Sequence, residues 1–296
     1  MTSLIIDIVF SNIVRPKGFM SAWNDLYSNN INADYLIFGT SRAQGDIVSS
    51  IIKDSLNITV FNLGEQTGMA EVQLIRLKEH LKHCTKKPKH ILLEIYPYSV
   101  LDFSNQSCFQ QIYPYMLYNC NFYKYTQIWS TYNKTDFVIP LKRYGSNIGW
   151  MIKNSIRKSS EDTCYRGYYN NWGDWNSEMY NQSKQNCKEF AMNYKRICYI
   201  KEFIETCILN NISINMFYAP ENELYKNCYT NKQDFVTLFQ SIADSFKINL
   251  KDFSKDSIPI NIDTLYYHDI YHLNSQGATK FTSEYFVPYI KDLYNL

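Results

Sequence analysis

Short apolar runs alternate with amphipathic segments along most of the chain. The apolar runs predict strands at 34–39, 58–62, 90–95, 212–218 and near 247–253. Helical spacing of apolar residues predicts helices at 42–56, 68–83, 188–209, 233–245 and from about 275 almost to the C-terminus. Strands that alternate with helices are typical of a parallel sheet covered by helices on both faces. We therefore predict an α/β fold with a three-layer, doubly wound sheet of the flavodoxin-like type.

The alternation stops at about Ser99 and resumes near Lys188. We predict one domain over 1–296, with 100–187 inserted as an aromatic-rich subdomain. Its tyrosines and tryptophans include Tyr113, Tyr115, Tyr118, Tyr123, Tyr125, Trp129, Tyr132, Trp150, Tyr165, Tyr168, Tyr169, Trp172 and Trp175. Aromatic rings stack on sugars, so one hypothesis makes this segment a lid or wall for a carbohydrate. The alternative is that these rings pack the core of the segment itself.

Composition narrows the possible partners. The chain has 296 residues, of which 45% are hydrophobic and 20% charged, as in an ordinary globular protein. Its net charge of +2 argues against a nucleic-acid partner. The eight cysteines include no CxxC pair, so we predict no metal site and no cofactor. Cys198 and Cys207 lie in an apolar helical pattern and are predicted to be buried free thiols, while disulfides among the other cysteines stay open.

The N-terminal segment Leu4–Phe10 is apolar but short and carries Asp7. It lacks the basic start of a signal peptide and falls below the roughly 20 residues that span a bilayer. As written, the chain indicates a cytoplasmic protein. The alternative is that this segment is the end of a trimmed membrane anchor, which would place the protein in the cell envelope and associate it with a membrane.

Ser41 follows the first predicted strand by two residues, where the chain turns into a helix. In an open parallel sheet, ligands bind at the carboxyl ends of the strands. A serine at such a turn can attack a carbonyl while nearby backbone N–H groups bind the oxyanion. Serine is also a favoured helix N-cap, so the residue alone does not distinguish a nucleophile from a cap.

Asp269 and His272 stand three residues apart, just before the last predicted helix. A carboxylate that orients an imidazole is what a serine nucleophile needs as its general base. Taken by itself, the pair is equally compatible with an incidental polar loop. Its combination with Ser41 on a parallel-sheet pattern predicts a catalytic site.

Together, the Gly-x-Ser turn and the Asp-x-x-His segment resemble the SGNH (GDSL-type) hydrolase superfamily. A closer resemblance is to a bacterial branch linked to acyl modification of polysaccharides and the cell envelope. The matching segments are 33–43, Phe61–Gly64, the strand 90–95 after Pro88-Lys89, Gly167-Tyr168 and His272–Ala278. The resemblance implies that Ser41 is the nucleophile, His272 the general base and Asp269 its orienting partner.

The resemblance is weaker around the oxyanion hole. The superfamily usually has a glycine where this chain has Thr67, and an asparagine where it has Tyr98. A tyrosine hydroxyl can donate a hydrogen bond, but its reach differs from that of an asparagine amide. The candidate oxyanion-binding residues are Asn62, Gly64, Thr67, Gly68 and Tyr98, with the Ser41 N–H as a further donor.

Two functions follow from these features. The first is a serine esterase or O-acyltransferase that acts on acyl esters of carbohydrates, with acetyl as the expected acyl group, through an acyl-Ser41 intermediate. Its partner would be a glycan or another acylated small molecule. The alternative is a non-catalytic glycan-binding or assembly protein that keeps the fold with a degraded oxyanion hole. The sequence assigns no role to Arg42, which follows Ser41, or to Glu94 in the predicted strand 90–95.

Overall fold

The computed structural model describes residues 2–15, 22–66, 68–102, 112–126, 133–155, 164–170, 172–185, 189, 191–226, 230–255 and 258–296.

Five parallel strands form the central sheet. They are β1 (Tyr35–Gly39), β2 (Val60–Gly64), β3 (His90–Glu94), β6 (Ser213–Tyr218) and β7 (Leu250–Asp252). Their order is β2-β1-β3-β6-β7, so the chain extends the sheet first to one side of β1 and then to the other. The predicted doubly wound α/β fold is confirmed. Two short antiparallel strands, β4 (Cys164–Tyr165) and β5 (Tyr168–Tyr169), form a separate hairpin.

Helices precede, connect and follow the strands. In the first half of the chain they are α1 (Thr2–Ile13), α2 (Ala22–Tyr27), α3 (Ser41–Asp46), α4 (Ser49–Leu56), α5 (Ala70–His83), α6 (Cys120–Tyr125), α7 (Lys134–Val138) and α8 (Ile148–Ser155). In the second half they are α9 (Ser177–Gln185), α10 (Tyr194–Leu209), α11 (Glu223–Lys226), α12 (Lys232–Phe246), α13 (Ser275–Phe281) and α14 (Val287–Tyr294). A π-helical turn over Thr282–Phe286 joins α13 to α14.

The residues of β1 face two different cores. Leu36 and Phe38 belong to a large cluster that includes apolar residues of α5 and α10. Tyr35 and Ile37 belong to a second cluster that includes residues of α4, α13 and α14. This alternation follows from the two-residue period of a strand and gives the sheet a helical layer on each face.

The predicted helix over 42–56 is wrong as a single element, because the chain leaves the helix at Ile47 and Val48. The backbone groups freed there find partners elsewhere in the fold. Val48 N–H donates to Thr282 Oγ1 at 3.0 Å, and the Ile47 carbonyl accepts from Asn62 Nδ2 at 3.2 Å. Contacts from distant parts of the sequence therefore interrupt a locally continuous helical pattern.

The aromatic-rich segment lies between β3 and β6 and contributes partly to the main core. Tyr113, Tyr115 and Tyr125 are buried there, whereas Tyr118 is 59% exposed. The segment also carries the β4–β5 hairpin, which packs against β2. At its turn, Gly167 has a φ of +82°, and a Cβ would lie 1.7 Å from the Asn62 carbonyl oxygen, so only glycine fits. Trp129, Tyr132 and the side chain of Tyr165 lie outside the described residues.

The two cysteines predicted to be buried differ. Cys207 is buried, but Cys198 is only partly so, which corrects the prediction. Nine residues separate them on α10, and at about 100° per residue this places them on opposite faces of the helix. Cys84 and Cys120 are also free thiols. The side chains of Cys108, Cys164, Cys187 and Cys228 lie outside the described residues.

Candidate active site

Ser41 is the first residue of α3, directly after the end of β1. Thr40 is the N-cap, and its hydroxyl accepts a hydrogen bond from Arg42 N–H at 3.3 Å. The cap role considered for Ser41 therefore belongs to its neighbour. Ser41 is partly exposed at the carboxyl edge of the sheet, where an open α/β fold binds ligands.

His272 and Asp269 lie in a tight turn before α13. Asp269 Oδ1 accepts hydrogen bonds from the backbone N–H groups of Tyr271 and His272, at 2.9 and 2.8 Å. Its other oxygen lies 2.8 Å from His272 Nδ1. Because Asn274 caps α13 by accepting from Gly277 N–H at 2.9 Å, the turn is fixed at both ends.

The three side chains form one hydrogen-bonded series. Ser41 Oγ lies 2.8 Å from His272 Nε2, within the separation expected of a nucleophile and its base. An ionised Asp269 accepts a proton on His272 Nδ1, which leaves Nε2 free to accept from the serine hydroxyl. The structure thus brings together all three residues that the sequence singled out, although they are up to 231 positions apart.

The electrostatic environment keeps Asp269 charged. Burial alone would raise the pKa of this carboxyl, but His272 and the hydrogen bonds from Tyr271 and His272 outweigh it and lower the pKa below the usual 3.8. Asp269 is therefore an anion at neutral pH, next to an imidazole that is 16% exposed. This arrangement stabilises an imidazolium when the histidine takes a proton.

A second carboxylate, Glu94, lies beneath the turn that carries Ser41. Glu94 is fully buried at the end of β3, and its Oε2 accepts from both the N–H and the hydroxyl of Thr40, at 2.9 and 3.0 Å. The sequence did not identify this contact. Glu94 fixes Thr40, the residue that precedes Ser41, and burial raises the pKa of Glu94 despite the opposing effects of Arg42 and Thr40.

The pH dependence of stability should reveal the buried Glu94. The folded chain holds the Glu94 proton more tightly than the unfolded chain, so wild-type stability falls as the pH rises from 4.5 through the raised pKa. Glu94→Gln has no such proton to lose. The unfolding free energy of Glu94→Gln minus that of the wild type should therefore increase over this pH range. The limiting slope of this difference is about 1.4 kcal/mol per pH unit. Urea unfolding at several pH values measures the slope, and exposed Glu205→Gln is the control. Parallel curves for Glu94→Gln and the wild type would contradict the assignment.

Arg42, to which the sequence gave no role, is fully buried and lies 4.0 Å from the carboxylate of Asp46. Its guanidinium is buried and donates to the carbonyls of Ala219 and Pro220, just beyond β6. It also lies between the rings of Tyr96 and Tyr218, at 4.6 and 5.1 Å from their centroids. These contacts tie the turn that carries Ser41 to the end of β6, two strands away in the sheet, so Arg42 has a structural role.

Asn62 and Gly64, two of the candidate oxyanion donors, form hydrogen bonds inside the fold. The Asn62 amide donates to the carbonyls of Ala43 and Ile47, at 2.6 and 3.2 Å. Its oxygen accepts from Gly64 N–H at 2.9 Å. The Asn62 side chain and the Gly64 N–H are therefore both engaged inside the fold, which argues against an oxyanion role for either.

The other candidate oxyanion donors differ in whether their N–H or O–H groups are already hydrogen-bonded. Gly68 N–H donates to the Glu65 carbonyl at 2.9 Å, so it too is engaged. Thr67 lies outside the described residues. Tyr98 is partly buried on a 3-10 turn after β3 and packs against the larger core, and its role stays a prediction. Among the described residues, none accepts a hydrogen bond from Ser41 N–H, which leaves this group as a donor for an oxyanion.

Two residues of the aromatic-rich segment reach the site: Asn170, to which the sequence gave no function, and Trp172, one of the aromatic residues of the lid hypothesis. Asn170 Nδ2 donates to the carbonyls of Gly45 and Leu273, at 2.8 and 3.1 Å, and so joins α3 to the histidine turn. The Trp172 ring lies 4.2 Å from the His272 ring, tilted by 42°. The sequence placed Trp172 among the aromatic residues of a possible carbohydrate lid, but nothing local indicated its contact with His272.

Comparisons with known proteins give similarities of structure. No protein-family model and no curated protein matches the sequence. A structure from Desulfitobacterium hafniense DCB-2, assigned to the G-D-S-L family of lipolytic proteins, is 12% identical, with 87% of this chain and 99% of that chain covered and a TM-score of 0.45. The acetyl xylan esterase AlAXEase is 11% identical, with coverages of 86% and 98% and a TM-score of 0.45. A GDSL-like lipase from Bacteroides thetaiotaomicron VPI-5482 is 9% identical, with coverages of 92% and 99% and a TM-score of 0.43.

Proposed function

We propose that this chain is a serine ester hydrolase or acyltransferase of the SGNH (GDSL-type) superfamily, with Ser41 as its nucleophile. The observation that carries the proposal is the series of two 2.8 Å contacts, from Ser41 Oγ to His272 Nε2 and from His272 Nδ1 to Asp269 Oδ2. A serine, an imidazole and a carboxylate in this geometry perform acyl transfer on several unrelated folds.

The reaction proceeds in two halves. His272 Nε2 accepts the Ser41 proton as Oγ attacks the ester carbonyl, and the carbonyl oxygen becomes an oxyanion. The intermediate collapses, the C–O bond of the ester breaks, and the alcohol leaves with the proton from His272. Water or a sugar hydroxyl then gives its proton to His272 and attacks the acyl-Ser41. Collapse of the second intermediate returns that proton to Ser41 and releases the acid or the new ester.

Asp269 and the nucleophile turn support the charged stages of this reaction. The buried Asp269 carboxylate stabilises the imidazolium that forms on His272 and fixes its tautomer. The Ser41 N–H is the donor offered to the oxyanion, and Tyr98 and Thr67 are the candidates for a second one. Removal of one such donor costs on the order of 10²–10³ in rate in other serine enzymes.

Turnover of an activated ester tests the chemistry first. We expect wild-type protein to release p-nitrophenol from p-nitrophenyl acetate well above the buffer rate.

The second candidate function, a non-catalytic glycan-binding or assembly protein, is favoured by the internal hydrogen bonds of Asn62, Gly64 and Gly68. Binding of glycans without any ester turnover would support that candidate against the enzyme.

The substrate we propose is an acyl ester of a carbohydrate, with acetyl as the expected acyl group. Trp172 supports this class, because its partly exposed ring stands beside the His272 ring, where the alcohol part of the ester would leave. Aromatic faces pack well against sugar rings. The same surface suits a departing sugar in hydrolysis and an accepting sugar in transfer.

The variant Trp172→Ala should therefore discriminate between substrates. Loss of one stacking ring is worth about 0.5–1.5 kcal/mol, so kcat/KM for an acetylated oligosaccharide should fall about two- to thirteenfold relative to kcat/KM for p-nitrophenyl acetate. Steady-state kinetics on both esters measure this ratio. Tyr194→Ala, which removes a 75% exposed ring from the start of α10, is the control. An equal loss on both esters would refute a sugar contact at Trp172.

A further inference from the structure

The outward side of α1 is aliphatic. Five of its side chains, which we call the aliphatic face, are between 50% and 63% exposed: Ile5, Ile6, Ile8, Val9 and Ile13. At about 100° per residue they occupy one side of the helix, opposite the buried Asp7 and Ser11. No charged residue of α1 is exposed, since Asp7 is its only charged residue.

Strong contacts hold α1 in this orientation. Asp7 forms a bidentate ion pair with the buried Arg143, at 2.6 and 2.7 Å. The hydroxyls of Ser11 and Tyr144 lie 2.6 Å apart, and the ring of Phe10 meets that of Tyr144 edge-on at 4.9 Å. The polar side of the helix is therefore fixed inward, and the aliphatic face is fixed outward.

The neighbouring segment 133–155 adds further exposed aliphatic residues. It lies against α1 because Leu141 N–H donates to Asp7 and Arg143 pairs with the same carboxylate. Its large apolar side chains with 41–46% exposure are Val138, Ile139, Ile148 and Ile152. Large exposed apolar side chains on two elements that pack together mark an interaction site on a folded protein.

The exposed charges of α1 and segment 133–155 are all positive. Asp7 is paired with Arg143, and the largely buried Asp136 lies 3.5 Å from Lys142. The exposed charged residues are Lys134, Lys142 and Lys153. Lys134 and Lys153 form no ion pair with any residue that the structure describes. Exposed aliphatic side chains and exposed lysines on two elements that pack together complement a surface that is apolar inside and anionic outside.

We propose that the aliphatic face docks on the surface of an anionic lipid bilayer. The helix lies in the interfacial plane with its isoleucines among the upper acyl chains, while the lysines reach the lipid phosphates. Within the described part of the chain, no helix is long and apolar enough to cross a membrane. The proposal concerns attachment and does not depend on the ester chemistry of Ser41.

Flotation with lipid vesicles tests the proposal on the full chain. We expect binding to vesicles of equal parts phosphatidylcholine and phosphatidylglycerol, and at least tenfold weaker binding to phosphatidylcholine alone. Ile6→Gln/Val9→Gln, which keeps good helix formers on α1, should weaken binding to the mixed vesicles at least tenfold. Lys134→Gln/Lys153→Gln should weaken it to a similar extent at low salt, since each lysine near the surface contributes about 1 kcal/mol.

The control removes equally exposed aliphatic residues elsewhere. Ile208→Gln/Leu209→Gln, at the end of α10, should bind vesicles as the wild type does. Thermal unfolding shows whether each variant is folded, and Ser41→Ala should also bind normally. Absence of wild-type binding, or equal binding by Ile6→Gln/Val9→Gln, would overturn the proposal. A wild-type dimer that this variant converts to a monomer would instead assign the face to a second copy of the chain.

Discussion

Replacement of Ser41 by alanine should lower kcat/KM for p-nitrophenyl acetate by about 10⁴- to 10⁶-fold, the range seen when a serine nucleophile is removed. The alanine lacks the oxygen that forms the acyl-enzyme, while the base and the backbone N–H groups stay in place. Ser41 Oγ contacts only His272 among the described side chains, so the loss should not come from unfolding. Initial rates at saturating and limiting substrate measure the effect.

The control for Ser41→Ala is Ser283→Ala. The Ser283 hydroxyl is exposed and donates to the Thr279 carbonyl one helical turn earlier. Its loss should leave kcat/KM unchanged. A Ser41→Ala protein that keeps more than about a tenth of wild-type activity would require a different nucleophile, because even the weaker members of catalytic triads contribute more than that.

Replacement of Asp269 by asparagine should lower kcat by about 10³- to 10⁴-fold. The amide oxygen can still accept from the Tyr271 and His272 backbone, so the turn is retained. The amide nitrogen, however, donates to His272 Nδ1, whereas the carboxylate oxygen that it replaces accepts from His272 Nδ1. The imidazole then carries its proton on Nε2 and cannot accept the proton of Ser41.

This tautomer effect distinguishes Asp269→Asn from a merely structural change. Its thermal midpoint should stay close to that of the wild type while kcat collapses. Asp263→Asn is the matched control, because Asp263 caps a 3-10 turn by accepting from Leu265 N–H and lies six residues earlier. If Asp269→Asn and Asp263→Asn had the same small effect, Asp269 would not orient the base.

Hydrophobic patterning was sufficient to predict the sheet. Buried parallel strands read as short apolar runs, and each predicted run of the sheet overlaps an observed strand. The break between α3 and α4 could not be predicted, because it depends on Thr282, more than 230 positions away. Local spacing along the chain carries no information about such partners.

Part of the candidate site could also be predicted from local sequence patterns. Ser41, Asp269 and His272 were found because each lies at a recognisable boundary, a strand end or a helix start. The contacts of Asn170 and Trp172 with the site could not be predicted, since they arise only when the aromatic-rich segment folds back on α3. The internal hydrogen bonds of Asn62, Gly64 and Gly68 could not be predicted either, because the order of residues does not show which N–H groups already have an acceptor.

The most direct test of the central claim is to trap the nucleophile. A fluorophosphonate probe reacts with a serine that an adjacent base has activated. We predict stoichiometric labelling of the wild type, recovery of the label on the peptide that contains Ser41, and no labelling of Ser41→Ala. Asp269→Asn should label far more slowly. A wild type that resists the probe, or label recovered on another serine, would contradict the assignment of Ser41 as the nucleophile.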